Sequence, residues 1–162
     1  MRVRLATCVS IILGLGSFEP PAQAGVLEFA PPTLIEFGLS NYDFAFADVD
    51  GDGDTDIILN QGLPVGVGNQ ATVGIMKNRG DATFEPVVTY PIGSSFSLAM
   101  AVADFDNDGD PDVAKSDLLN GTTSDLVILY NDGDGVFPTQ RRFPGGAQPQ
   151  QAAAGDINSD GW

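Results

Sequence analysis

The chain has 162 residues, a formal net charge of −15 and a pI near 4.1, and 43% of its residues are hydrophobic. This hydrophobic content excludes a disordered acidic tail, and the negative charge argues against nucleic-acid binding, which needs basic patches. Histidine is absent, which excludes Ser-His-Asp and Cys-His catalytic machinery and imidazole-bound zinc or copper within this chain.

Residues 1–24 have the pattern of a secretory signal peptide. Two arginines precede an apolar run over 5–15, and Ala-Gln-Ala at 22–24 is a small-x-small cleavage pattern. The run is too short for a transmembrane anchor, which needs roughly 20 apolar residues. Cys8 superficially suggests a lipoprotein signal, but the apolar run continues past it. We therefore expect cleavage and export to the periplasm, outer surface or medium, with no membrane span afterwards.

The mature chain would then contain no cysteine, so neither a disulfide nor a thiolate metal site could stabilise it. The 20 glycines and 11 prolines of the full sequence lie among short apolar runs, and no apolar-periodic segment after residue 25 is long enough for a convincing helix. This profile predicts an all-β fold.

Four strands are predicted in each of two successive stretches. In the first stretch, a strand at 42–47 leads through an acidic loop to a returning strand at 56–60. A third strand follows at 72–76, and Asn-x-Gly-Asp at 78–81 supplies a tight turn before a fourth at 83–90. The second stretch repeats this order, with its first, third and fourth strands at 97–103, 125–130 and 136–143.

The acidic segment recurs at a nearly constant step. "ADVDGDGDTDIIL" at 47–59 returns as "ADFDNDGDPDVAK" at 103–115, and "GDINSDGW" at 155–162 begins a third copy. The first aspartates of the copies are separated by 56 and 52 residues. Four strands per period describe a β-propeller blade. We therefore expect residues 25–162 to form about two and a half blades of an unclosed ring, with units starting near Phe29, Phe84 and Phe137.

Each acidic loop has the spacing of a calcium site. Calcium prefers six to eight oxygen ligands, and alternate carboxylates on a curled loop can converge on one ion, with glycine at the sixth position allowing the turn. The seventh residue would contribute its backbone carbonyl, and its side chain would face solvent. The predicted metal ligands are Asp48, Asp50, Asp52, Asp54 and Asp56 in the first loop; Asp104, Asp106, Asp108, Asp110 and Asp112 in the second; and Asp156, Asn158 and Asp160 in the third.

Other interpretations of these loops are weaker. An EF-hand needs a glutamate at loop position 12, where this chain has Leu59 and Lys115, and it needs flanking helices. A dockerin-like module has a shorter repeat, and magnesium demands stricter octahedral geometry. A solvated acidic turn without metal stays open as the alternative.

Through "FADVDGDGDTDIIL", "VADFDNDGDPDV" and "GDINSDGW", the chain resembles the FG-GAP or VCBS-type repeats of integrin-α-like β-propellers. The resemblance implies a propeller, commonly seven-bladed, with non-catalytic calcium in the hairpin loop of each bearing blade. The Phe-Gly and Gly-Ala-Pro signatures that give this family its name are poorly matched in this chain, which favours the bacterial VCBS-like branch.

We therefore expect a secreted calcium-binding module that is not an enzyme and that offers a scaffold or binding surface to a protein or glycan, with contacts in the variable segments 60–71 and 116–125. The alternative is the N-terminal part of a larger propeller-based enzyme, such as a polysaccharide lyase or hydrolase.

Arg-Gly-Asp at 79–81 occupies the hairpin turn and aligns with 132–134, so it does not indicate an adhesion signal. Because the chain stops within the third loop, we expect a fragment of a longer protein, or else a ring assembled from several chains.

Overall fold

The computed structural model describes residues 10–13, 33–36, 40–62, 71–81, 83–93, 99–118, 123–147, 149 and 151–155. Every helix or strand in that part of the chain is a β-strand. The strands are β1 (Ser10–Leu13), β2 (Thr33–Glu36), β3 (Ser40–Ala47), β4 (Asp56–Gly62), β5 (Ala71–Met76), β6 (Val88–Gly93), β7 (Met100–Ala103), β8 (Asp112–Leu118), β9 (Thr123–Tyr130) and β10 (Thr139–Ala147).

Two four-stranded antiparallel sheets account for most of these strands. Blade 1 has the order β3-β4-β5-β6, and blade 2 has β7-β8-β9-β10, so each sheet is a meander in which consecutive strands pair. The predicted all-β fold of four-stranded antiparallel blades is confirmed, and the two blades do not close a ring within the described residues. A separate two-stranded sheet joins β1 to β2. β1 lies within the predicted signal peptide, and its cleavage stays a prediction.

The fourth strand of each blade begins later than the sequence suggested. Residues 83–87 precede β6, and Phe84 forms only an isolated bridge with Asn78. Pro86 and Pro138 lie just before β6 and β10. Because proline has no backbone N–H to donate, hydrogen-bonded strand pairing begins only after these residues. Both strands are sheet edges, where an interior proline is tolerated.

The main hydrophobic core lies between the two blades. Alternate residues of β5 and β9 face it, as the period of two requires, whereas β10 is exposed along its whole length. Tyr90 and Phe137 meet edge to face with ring centroids 5.4 Å apart, and the first strands β3 and β7 lie side by side. The buried members are Val49, Ile58, Ala71, Val73, Ile75, Ile92, Met100, Val113, Val127, Leu129 and Phe137. The blades therefore stack face to face, which fixes the position of the loop at the start of β4 relative to blade 2.

Two basic side chains cross this interface. Lys115 of β8 is fully buried, and its Nζ donates to the Thr72 carbonyl at 2.6 Å and to the Gln61 carbonyl at 3.4 Å. Arg142 of β10 donates to the buried Asp117 carboxylate at 2.6 Å and to the Ile92 carbonyl. These bonds join blade 2 to the backbone of β4, β5 and β6, so they set the register of the two blades.

Burial lowers the pKa of Lys115 to about 7, although the Asp117 carboxylate opposes the shift. Between pH 7 and 10.5 the unfolded chain therefore binds more protons than the folded chain, so the free energy of unfolding should rise with pH in that window. One such group contributes a slope of at most about 1.4 kcal/mol per pH unit. Urea denaturation of Lys115→Met should show this rise flattened relative to wild type, and parallel profiles would contradict it.

Candidate metal centre

Loop 1 (residues 48–56) connects β3 to β4 and is organised by its first carboxylate. Asp48 Oδ1 accepts the Gly51 N–H and Asp48 Oδ2 accepts the Gly53 N–H, both at 2.9 Å. Gly53 has a φ of 91°, the left-handed conformation that the sixth loop position was predicted to need. The chain thus curls around the Asp48 side chain.

Loop 2 (residues 104–112) connects β7 to β8 and repeats this arrangement. Asp104 Oδ1 accepts the Asn107 N–H at 2.6 Å, and Asp104 Oδ2 accepts the Gly109 N–H at 2.9 Å. Gly109 has a φ of 100°. Because the same bonds recur one period later, the loop geometry is a property of the repeat.

The last carboxylate of each loop is buried and holds two backbone segments together. Asp56 accepts the Val49 N–H at 2.9 Å and the Asn78 N–H at 2.7 Å, one on each oxygen. Asp112 likewise accepts the Phe105 N–H at 2.9 Å and the Asn131 N–H at 2.8 Å. Each of these side chains therefore ties its loop to the hairpin turn between the third and fourth strands.

These turns are turn 1 (residues 78–81) and turn 2 (residues 131–134), and each lies against the seventh loop residue. A Cβ on Gly80 or Gly133 would lie 2.8 Å from the nearest carboxylate oxygen of Asp54 or Asp110, respectively. The sequence predicted that these two side chains would face solvent. Both are instead half-buried. The reason is the close approach that glycine permits in the turn.

The asparagine of each turn is an organising residue that sequence reasoning did not single out. Asn78 Nδ2 donates to the Thr55 carbonyl at 3.1 Å. Asn131 Nδ2 donates to the Pro111 carbonyl at 3.2 Å and, across the blades, to the Val49 carbonyl at 2.8 Å. The available signal was the Asn-x-Gly recurrence at a fixed distance after each loop.

The structure brings three carboxylates together in each loop. In loop 1 one oxygen each from Asp48, Asp50 and Asp56 lie within 4.8 Å of one another. In loop 2 the same holds for Asp104, Asp106 and Asp108. The other predicted carboxylates, Asp52 and Asp112, lie outside these groups. The third set, Asp156, Asn158 and Asp160, lies outside the described residues.

The two groups differ in burial and in their partners. Asp56 of loop 1 is fully buried, whereas all three members of the loop 2 group are exposed. Asp50 Oδ1 is buried without a hydrogen-bond partner among the described residues, and Asp50 Oδ2 lies 3.4 Å from Lys77 Nζ. An acceptor left unpaired in this way is costly, and a cation would satisfy it.

Burial and mutual repulsion perturb these acids. Burial raises the pKa of Asp56 and Asp112, and the neighbouring carboxylates Asp50 and Asp106 add to this, although backbone N–H groups oppose it. Burial and four surrounding aspartates also raise the pKa of Asp110. Because the pKa of these carboxyls is raised in the folded chain, their ionisation above pH 3.8 lowers the free energy of unfolding. A bound cation would offset this loss.

A cleft of about 360 Å³ lies beside loop 2, between β7, β8 and β9 and the segment 152–155. Its lining is mainly apolar, and the carboxylate residue on it is Asp104, whose two oxygens already accept backbone N–H groups. The cleft therefore offers an apolar surface rather than a pair of free acids.

Fold and site together define an all-β repeat protein in which each four-stranded blade carries an acidic loop between its first two strands. A family model described as FG-GAP-like repeat matches residues 65–114, a range that runs from the approach to β5 into β8 and includes the whole of loop 2. Residues 65–114 are therefore similar to an FG-GAP-like repeat, which confirms the resemblance to FG-GAP repeats; the VCBS-like branch stays a prediction. No curated protein and no solved structure gave a significant match.

The part of the chain that the structure describes contains no helix long and apolar enough to cross a membrane.

Replacing the buried anchor should destabilise the chain more than replacing an exposed loop acid. Asp112→Asn leaves one oxygen for two backbone donors, so the free energy of unfolding in EDTA should fall by about 1–3 kcal/mol. Asp106→Asn is the matched control, because it removes an exposed charge from the same loop and relieves repulsion. Urea denaturation would contradict this role for Asp112 if the two variants were equally stable.

Proposed function

We propose that this chain is an exported, calcium-binding repeat module that acts as a non-catalytic scaffold or binding surface. The observation that supports it best is the convergence of three carboxylates in each of two equivalent loops, one of which holds a buried, unpaired carboxylate oxygen. The signal-like residues 1–24 support export.

The donor set fits calcium chemically. All candidate side-chain ligands are hard oxygens, and a flexible loop of carboxylates and carbonyls suits an ion that accepts six to eight of them. Asp48, Asp50 and Asp56 would hold the ion in loop 1, and Asp104, Asp106 and Asp108 would hold it in loop 2. Small loop adjustments would add Asp52 and Asp112, and the carbonyls of Asp54 and Asp110 would complete the sets.

Calcium would supply the positive charge that each loop lacks. Two carboxylates about 4 Å apart repel by roughly 1 kcal/mol in water and about 4 kcal/mol at an effective dielectric of 20. Binding at millimolar calcium with a dissociation constant of roughly 0.1 mM would stabilise the fold by about 1.4 kcal/mol per site. The ion would thus be a structural stabiliser of the loop and of the turn attached to it.

A non-catalytic role agrees with how the acids are used. General acid–base chemistry needs carboxylates that are free to exchange protons with a substrate. Asp48 and Asp104 each bind two backbone N–H groups, and so do Asp56 and Asp112. The binding surface for a protein or glycan would then lie within the segments 60–71 and 116–125, which differ most between the repeats. The ends of these segments belong to strands, and residues 63–70 and 119–122 lie outside the described part of the chain. Release of products from acidic polysaccharides by the purified chain would contradict this role.

Isothermal titration of the full chain with CaCl₂ tests the metal proposal. We expect binding at both loops, a rise in melting temperature of a few degrees over the EDTA-treated chain, and much weaker binding of Mg²⁺. The double variant Asp106→Asn/Asp108→Asn should lose the loop 2 site. Equal melting temperatures in calcium and EDTA, with no heat of binding, would refute calcium binding.

A further inference from the structure

Loop 1 has a basic side chain of this protein beside its carboxylates. Lys77, the residue after β5, places its Nζ 3.4 Å from Asp50 Oδ2, and the two side chains are 25% and 19% exposed. The same ammonium also donates to the carbonyl of Asp134 in turn 2. Lys77 therefore links loop 1 of blade 1 to the neighbouring turn of blade 2.

Packing holds the lysine in this position. Gly135 follows turn 2 and is buried, and a Cβ there would lie 2.6 Å from Lys77 Cε and 3.0 Å from Val49 Cγ2. The stem of Lys77 thus occupies the space that a side chain at position 135 would fill. The pair with Asp50 is more constrained than a typical surface ion pair between two mobile side chains.

Loop 2 lacks this partner. The residue equivalent to Lys77 one repeat later is Tyr130, whose ring lies under the Arg141 guanidinium, 5.7 Å from its centroid. The ion pairs in the described part of the chain bring no basic group to Asp104, Asp106 or Asp108. The two loops have the same backbone hydrogen bonds but different countercharges.

We propose that the Lys77 ammonium is the built-in countercation of loop 1, which calcium must displace, so that loop 1 binds calcium more weakly than loop 2. This inference rests on the proposed calcium function and adds a difference between its two sites. Because Lys77 also binds Asp134, its displacement removes one of the contacts between loop 1 and turn 2. Calcium occupancy of loop 1 is therefore coupled to the packing of the two blades.

Charge and distance explain why Lys77 should weaken calcium binding at loop 1. An ion coordinated by Asp50 at about 2.3–2.6 Å would lie only about 5 Å from the ammonium if Lys77 stayed in place. Repulsion between a divalent and a monovalent cation at that separation is large enough to weaken binding by roughly tenfold or more, even when it is screened as in water. Calcium binding at loop 1 therefore requires the Lys77 ammonium to move away from Asp50.

The test uses the full chain with loop 2 silenced by Asp106→Asn/Asp108→Asn, so that calorimetry reports loop 1 alone. In this background, Lys77→Gln should tighten calcium binding by about tenfold. Arg79→Gln is the matched control, because it removes the same charge from an exposed position two residues away. It should change the affinity by less than about threefold. Equal shifts in the two variants would overturn the inference while leaving calcium binding intact.

A calcium-free measurement tests the ammonium separately. In EDTA, Lys77→Gln should lower the melting temperature by more than Arg79→Gln does, because the carboxylates of loop 1 lose their countercharge. Calcium should then raise the melting temperature of Lys77→Gln more than that of Arg79→Gln. If Lys77→Gln were as stable as wild type in EDTA, the countercation role would be refuted. Absence of calcium binding at loop 2 of the wild type would instead refute the proposed function.

Discussion

In each blade a buried carboxylate receives two backbone N–H groups from segments that are distant in sequence. Asp56 binds Val49 of loop 1 with one oxygen and Asn78 of turn 1 with the other, and Asp112 makes the corresponding bonds in blade 2. This anchor joins the two ends of the acidic loop and holds the turn against it, while Asp48 and Asp104 curl the loop between those ends. The convergence of the remaining carboxylates follows from that curl, and with it the accumulation of negative charge that a cation would neutralise.

The same loops take part in the packing between blades. Asn131 donates to the Val49 carbonyl of loop 1, and Lys77 binds both Asp50 of that loop and Asp134 of turn 2. Lys115 and Arg142 add bonds to blade 1 backbone carbonyls elsewhere in the interface. Polar side chains as well as the hydrophobic core join the two repeats. A change of charge in loop 1 therefore alters contacts at the boundary between them.

The sequence predicted the parts of this structure that depend on local pattern. Alternation of apolar residues, turn residues and the recurrence of the acidic segment indicate the strand order, the four-stranded blades and both loops. Contacts between residues that are distant in the sequence could not be predicted from such local patterns. Lys115 was noted only because it is not glutamate, yet it is fully buried and bonded to a neighbouring blade. Likewise, spacing alone could not show that Asp52 and Asp112 lie outside the converging groups, or that Lys77 pairs with Asp50.

We propose that both acidic loops bind a cation, and that each is built on the same kind of buried carboxylate anchor. A crystal structure of the chain grown in millimolar calcium, with anomalous diffraction data to locate the ion, tests it most directly. We expect an ion in each of loops 1 and 2, about 2.3–2.6 Å from oxygens of at least three loop residues, with the bonds of Asp56 and Asp112 to their turns retained. Loops that contain no anomalous peak, with their carboxylates turned outward to solvent, would contradict it.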